Sequence, residues 1–252
     1  MKLRSKTLRK GFTLIELLVV IAILGALAGV SYGIFSFLNS GAKQAAATNM
    51  GQIATALNEF KKDNASRLPG DDTAKKYEEE KTDKYEQYAP FKGEYSNDYF
   101  HQLFACPKSR KSLDESQFFA DIPGVTEGDG DTSQGECLKT GENAFAYVMK
   151  YDKKKNMNIG VPSNAKNCPL LFCCVKADEG VVDAPNLQFD LTAFDNYAIM
   201  YTTSGKVVPL EVDDGLETVD ESVGKLSEDP FPKNAKDKTS YIGDYKVIPP
   251  SL

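Results

Sequence analysis

Acidic residues are nearly missing from the start of this chain: before Glu59 the only one is Glu16. No proline occurs before Pro69, so nothing in that stretch is bound to interrupt a helix. No cysteine occurs before Cys106, which leaves no residue near the N-terminus to carry a lipid thioether. Histidine is almost absent too, His101 being the only one. That excludes H-E-x-x-H zinc chemistry, and neither G-x-S-x-G nor a Walker-type phosphate loop is present. His101 alone reads as a hydrogen-bonded structural residue rather than a base. The five cysteines include no C-x-x-C pair, the spacing that structural zinc sites usually show.

The N-terminus is rich in two other things. Lys2, Arg4, Lys6, Arg9 and Lys10 come first, followed by Gly11. Phe12 to Leu38 then runs 27 residues with Glu16 as its single charge. A helix of roughly 20 apolar residues spans a bilayer, and the basic flank stays on the cytoplasmic side. A carboxylate in such a helix costs about 2.5–3.5 kcal/mol on insertion scales, so Glu16 needs a function. Two plainer readings compete. Ala26-Leu27-Ala28 fits a signal-peptidase site, but Val30, Ile34, Phe35, Phe37 and Leu38 continue the apolar run past it. A simple single-span anchor explains the length but not Gly-Phe-Thr-Leu-Ile-Glu.

The stretch Gly11-Phe12-Thr13-Leu14-Ile15-Glu16-Leu17-Leu18-Val19-Val20 resembles the N-terminus of type IV pilins and of type II secretion pseudopilins. The resemblance implies cleavage by a membrane prepilin peptidase between Gly11 and Phe12 and N-methylation of Phe12. It also implies that Glu16 drives subunit assembly. Gly25, Gly29 and Gly33 form overlapping G-x-x-x-G steps that allow close helix packing in lipid. Many relatives carry a proline inside this helix, and this chain has none.

The formal net charge is −6. Removing residues 1–11 takes away five positive charges, leaving 25 basic against 36 acidic residues, or −11. Nucleic-acid binding draws on clustered Lys and Arg, so no nucleic-acid partner is expected. The cysteines Cys106, Cys137, Cys168, Cys173 and Cys174 all follow the apolar helix, on the side where disulfides persist. They are disulfide candidates, and Cys106 is expected to bond Cys137 or Cys168. Cys173 and Cys174 on a strand would point to opposite faces and take different partners.

Beyond the apolar run, Met50, Ile53, Leu57 and Phe60 recur at helical spacing, so one helix is expected to continue to Asn64. Phe12 to Phe60 would be about 73 Å long at 1.5 Å per residue. Leu68-Pro69-Gly70 should end it. Residues 71–98 are charged and tyrosine-rich and read as a surface loop with little core, carrying a short helix near Thr73–Tyr88. Residues 144–151 and 169–177 read as strands, and 196–203 with 206–212 as a hairpin turning at Ser204-Gly205. The last 40 residues read as a loose acidic tail. The expected class is α+β, pilin-like, with a long N-terminal helix on an antiparallel sheet head. The domains would be a leader at 1–11, a helix at 12–64 (12–38 transmembrane) and an extracytoplasmic head at 65–252.

Glu127, Asp129, Asp131, Ser133 and Glu136 share one loop whose spacing begins like a calcium site and then departs from it. Asp129, Asp131, Asp213 and Asp214 are the weak calcium candidates, and no other cofactor is expected. The functional expectation is a non-enzymatic filament subunit, a type II secretion pseudopilin or type IV pilin. The alternative is a membrane-tethered extracytoplasmic ligand-binding protein. Expected partners are other pilin or pseudopilin subunits, the prepilin peptidase, the inner-membrane assembly machinery and the membrane. The expected location is a single pass in the inner membrane with the head outside the cytoplasm, then a periplasmic or cell-surface filament.

Overall fold

The computed structural model describes residues 41–79, 83–133, 135–162, 165, 167–176, 181–183, 187–190, 192–194, 196–213, 223–226, 230–231 and 244–252. The expected transmembrane half of the helix, with Gly11, Phe12, Glu16, Gly25, Gly29 and Gly33, lies outside them. Among the described residues no helix is long and apolar enough to cross a membrane. The chain divides into two compact units, Met1–Gly41 and Ala42–Leu252. The architecture below is that of the second.

Helix α1 occupies 41–63. Ala46, Met50, Ile53, Leu57 and Phe60 alternate steps of four and three, and all are buried in the main core. The stripe expected from the sequence is therefore the packed face, extended by one residue. Burying a Met, Ile, Leu or Phe side chain stabilises by about 1.5–3 kcal/mol. The helix ends where Ala65 and Ser66 adopt left-handed φ of 51° and 63°. Leu68, Pro69 and Gly70 then lead into α2 (Asp71–Glu79), α3 (Asp83–Glu86) and α4 (Ser96–Ala105). The turn at Gly70 is tied to α4: Gln102 Nε2 donates to Gly70 O at 3.1 Å, and Thr73 Oγ1 donates to Gln102 Oε1 at 2.7 Å.

The region 71–98 corrects the expectation of a coreless loop. Tyr77, Tyr85, Tyr88 and Phe91 are all buried in the main core. Tyr77 packs against Tyr85 and Phe91 with ring centroids 5.5 and 5.4 Å apart. Tyrosine supplies apolar area with a polar tip, so four aromatics do here what aliphatics do elsewhere.

The sheet contains β1 (Phe145–Asp152), β2 (Met157–Gly160), β3 (Pro169–Cys173), β4 (Val182–Asp183), β5 (Phe189–Asp190), β6 (Tyr197–Thr202), β7 (Val207–Asp213), β8 (Val223–Leu226) and β9 (Tyr245–Ile248). Their order is β4-β9-β1-β3-β6-β7-β8-β5, with β2 also on β1. Neighbours in this order are antiparallel. The α+β class and the β6–β7 hairpin are as expected, with Gly205 at φ +81° in the turn.

Both faces of this sheet are covered. Phe145, Tyr147, Met149, Leu171, Cys173 and Ile199 join α1 and α4 in the main core. Ala146, Val148, Phe172, Ala198, Met200 and Val247 face a second core with Phe189, Val212 and Phe231. That is why residues 145–149 are apolar without alternation. The second core corrects the expectation of a loose tail. Phe231 is buried in it, and β9 lies between β4 and β1. The C-terminus is tied to the start of α4: Ser96 N donates to Pro249 O at 2.7 Å, and Ser251 N to Asn97 Oδ1 at 3.0 Å. Beyond β3, Val175 bridges Phe189 in β5. The strands β3, β6, β7, β8 and β5 thereby close on themselves around Phe172 and Phe189, whose rings lie 5.7 Å apart.

One close approach fixes where β2 sits. A β-carbon on Gly160 would lie 2.5 Å from Leu68 Cβ and 2.9 Å from the Leu68 carbonyl carbon and oxygen. Backbone cannot yield there as a flexible side chain can. Gly160→Ala is expected to destabilise by about 1–3 kcal/mol, the usual cost of overpacking. Urea unfolding monitored by circular dichroism measures this, and a variant as stable as wild type would contradict the packing.

Candidate functional site: the N-terminal motif and the polar hub of the head

Inside the head, polar groups concentrate where α4 meets the loop 128–143. His101 is 6% exposed. Its Nδ1 lies 2.7 Å from Pro90 O and its Nε2 2.7 Å from Cys137 O. Each ring nitrogen faces a backbone carbonyl, so the ring is held in place by whichever nitrogen carries the proton. Burial pushes the imidazole pKa below its ordinary value, while the carbonyls and Asp98 pull the other way. The structural role expected for His101 is what this geometry shows.

Glu115 is 1% exposed. Its Oε2 accepts from Gly130 N at 2.9 Å and its Oε1 from Leu138 N at 3.0 Å. Burial raises its pKa, with the two N–H groups opposing. Asn143 completes the hub, donating to Ser96 Oγ at 2.8 Å and Asn97 Oδ1 at 3.0 Å. Sequence reasoning passed over Glu115, Asn97 and Asn143. Their spacing in the chain gives no signal, because each acts on residues distant in sequence.

The acidic loop does not gather its carboxylates around a cation site. Asp129 accepts from Asp131 N, and Asp131 from Ser133 N, at 2.8 and 2.9 Å. The Lys139 ammonium lies 2.9 Å from Asp129 and 2.8 Å from Glu136. Asp213 closes β7 at the backbone, and Asp214 is outside the described residues. Among the described residues no group of three His, Cys, Asp or Glu is placed to hold a metal ion. Asp129 and Asp131 are thus turn-forming residues in this loop.

The cysteines also differ from expectation. Cys106, Cys137, Cys168, Cys173 and Cys174 are all free and buried. The bridge from Cys106 to Cys137 or Cys168 is not formed, because each thiol has a different neighbourhood. Cys106 faces Asp63, its Sγ 3.8 Å from Oδ2. Cys137 lies against Glu115, and burial together with that carboxylate raises its pKa. Cys168 meets Tyr245, and burial pushes its thiol up to about 11.

Functional information of another kind lies at the N-terminus. Residues 6–32 match the family model of the prokaryotic N-terminal methylation motif. The chain carries the signature of type IV pilins and pseudopilins. The match spans Lys6, Arg9 and Lys10 of the basic flank, Gly11-Phe12, Glu16 and the glycines 25 and 29. Neither a curated protein nor a solved structure matches the chain. The motif supports a pilin- or pseudopilin-like protein processed by a prepilin peptidase, assembling with other pilin subunits and located in a membrane or a surface filament.

Proposed function

We propose that this protein is a structural filament subunit, a pseudopilin of a type II secretion system or a type IV pilin. The methylation motif at 6–32 is the observation that carries the reading. In this reading a prepilin peptidase removes residues 1–11 and Phe12 becomes the methylated N-terminus. The helix from Phe12 anchors the subunit in the inner membrane, with the head outside the cytoplasm. Inner-membrane assembly machinery then moves it into a filament, where Glu16 of one subunit meets the Phe12 amine of another. Within the unit Ala42–Leu252, α1 is packed into the main core from Ala46 to Phe60.

Processing is tested at Gly11. A side chain at the residue before the cut should block the peptidase, so Gly11→Val is expected to accumulate as full-length precursor in the membrane. Intact-mass measurement of wild type should find a methylated chain beginning at Phe12. A variant that matures normally, or a wild type beginning at Gly29, would remove the reading.

A membrane-tethered ligand-binding protein is the second reading. It is favoured by a cavity of about 490 Å³ between the α1–α2 turn and β2, lined by Arg67, Leu68, Asp72, Lys155 and Ile159. Such a volume suits a small ligand. That reading leaves the subunit as a monomer after processing, which the assembly experiment below decides.

A further inference from the structure

Cys173 and Cys174 break the alternation of their strand. Phe172 faces the second core and Cys173 the first. A regular strand would return Cys174 to the second core. Instead Cys174 packs beside Cys173 in the first, and Val175 resumes in the second. The backbone cause is a φ of +68° at Cys174. A residue with a β-carbon pays about 1–2 kcal/mol for that conformation, and glycine would adopt it freely. The turn brings both side chains into the same core, where Cys173 and Cys174 are both buried. It also has a place in the architecture. Directly after it, Asp190 N donates to Cys174 O at 2.8 Å and Val175 bridges Phe189, which closes the ring of strands.

We propose that Cys173 and Cys174 are a reversible modification site, joined as a vicinal disulfide at the turn that passes from β3 to its pairing with β5. The oxidant is a disulfide, either glutathione disulfide or the disulfide of a protein thiol oxidase. One of the two thiolates attacks a sulfur of that oxidant, forming a mixed disulfide and releasing one thiolate. The adjacent thiol loses its proton, attacks the mixed disulfide and releases the second. Two protons and two electrons leave the cysteine pair, and the oxidant is reduced to two thiols. Neighbouring Cα atoms are about 3.8 Å apart, closer than the 4.4–6.8 Å usual for disulfides. The bond is therefore strained and is reduced more readily than an ordinary structural bridge.

Cys168 is buried in the second core, apart from the pair in the first, and Cys106 faces Asp63. Both members of the pair are buried, so exchange proceeds through local opening. The inference stands on the turn itself and does not need the filament reading, because the oxidant is supplied in the test.

The full-length chain in detergent micelles is equilibrated at sub-denaturing urea in glutathione buffers running from fully reduced to fully oxidised. Free thiols are then blocked with iodoacetamide and the chain is digested with trypsin. Residues 167–176 form one tryptic peptide containing Cys168, Cys173 and Cys174. In oxidising buffer it should be two hydrogens lighter, with a single blocked cysteine at Cys168, and it should revert to three blocked cysteines in reducing buffer. Cys168→Ser should keep the two-hydrogen loss. Cys174→Gly, which suits the left-handed turn, should fold and lose it completely. A peptide with three blocked cysteines at every ratio would overturn the proposal. A bond from Cys168 to either neighbour, or a dominant bridge to Cys106 or Cys137, would overturn it equally.

Discussion

Glu16→Ala should yield mature, membrane-resident protein and no filaments. Removing a carboxylate from an apolar helix takes away about 2.5–3.5 kcal/mol of insertion cost, so membrane entry should improve or stay unchanged. The cleaved bond lies on the far side of Phe12, so processing should survive. Assembly should not. A buried ammonium that loses its partner typically costs about 3–5 kcal/mol. At 1.4 kcal/mol per factor of ten, that is roughly a hundred- to several-thousand-fold loss at each subunit contact. A filament repeats the contact at every subunit, so the loss compounds along its length. Comparing the mature band with sheared-filament yield in wild type and variant measures this directly. Normal filament yield in Glu16→Ala would take Glu16 out of the mechanism. Mature wild type that never forms filaments would favour the tethered ligand-binding reading, with the cavity beside Arg67 as the place to look.

Glu115→Ala should loosen the loop 128–143 more than any change to the loop's own ion pairs, although Glu115 lies outside the loop and forms none of them. The substitution leaves the N–H groups of Gly130 and Leu138 without their acceptor. An orphaned buried donor costs about 1–3 kcal/mol; the Leu138 N–H is buried and the Gly130 N–H only partly so, and the total is about 1–4 kcal/mol. Lys139→Ala is the contrast. Lys139 contacts Asp129 and Glu136, with 36% of its own side chain and 52% and 45% of theirs exposed. Exposed pairs of this kind contribute about 0–1 kcal/mol. Urea titrations of both variants, with limited proteolysis of the loop, give the comparison. If Lys139→Ala cost more than Glu115→Ala, the loop would be held by surface charge and the buried carboxylate would be dispensable.

These two residues were legible in the sequence to very different degrees. Glu16 stands out because a charge in an apolar run is conspicuous whatever the rest of the chain does. Glu115 is one acid among 36. Its importance comes from burial beneath a loop whose contacting residues lie 15 and 23 positions away. The aromatics of 71–98 are hidden in the sequence for a related reason. Counting aliphatics undervalues tyrosine, and Tyr77, Tyr85 and Tyr88 became core residues because α2 and α3 fold against α1 and α4.

The sequence alone determined the features that depend on neighbours in the chain. The apolar face of α1 follows from spacing along a helix. The β6–β7 hairpin follows from Ser204-Gly205 between two apolar runs, and the processing motif from contiguous residues recognised as a string. Tertiary structure decided what depends on distant partners. It placed β9 between β4 and β1 and buried Phe231 in a second core. It left five thiols free, because Cys106, Cys137 and Cys168 came to rest against Asp63, Glu115 and Tyr245. It also turned Cys174 onto the face of Cys173, against the alternation of the strand, since the chain had to leave β3 there to meet β5. Local periodicity fixes which side of an element is apolar. Only packing fixes what that side meets.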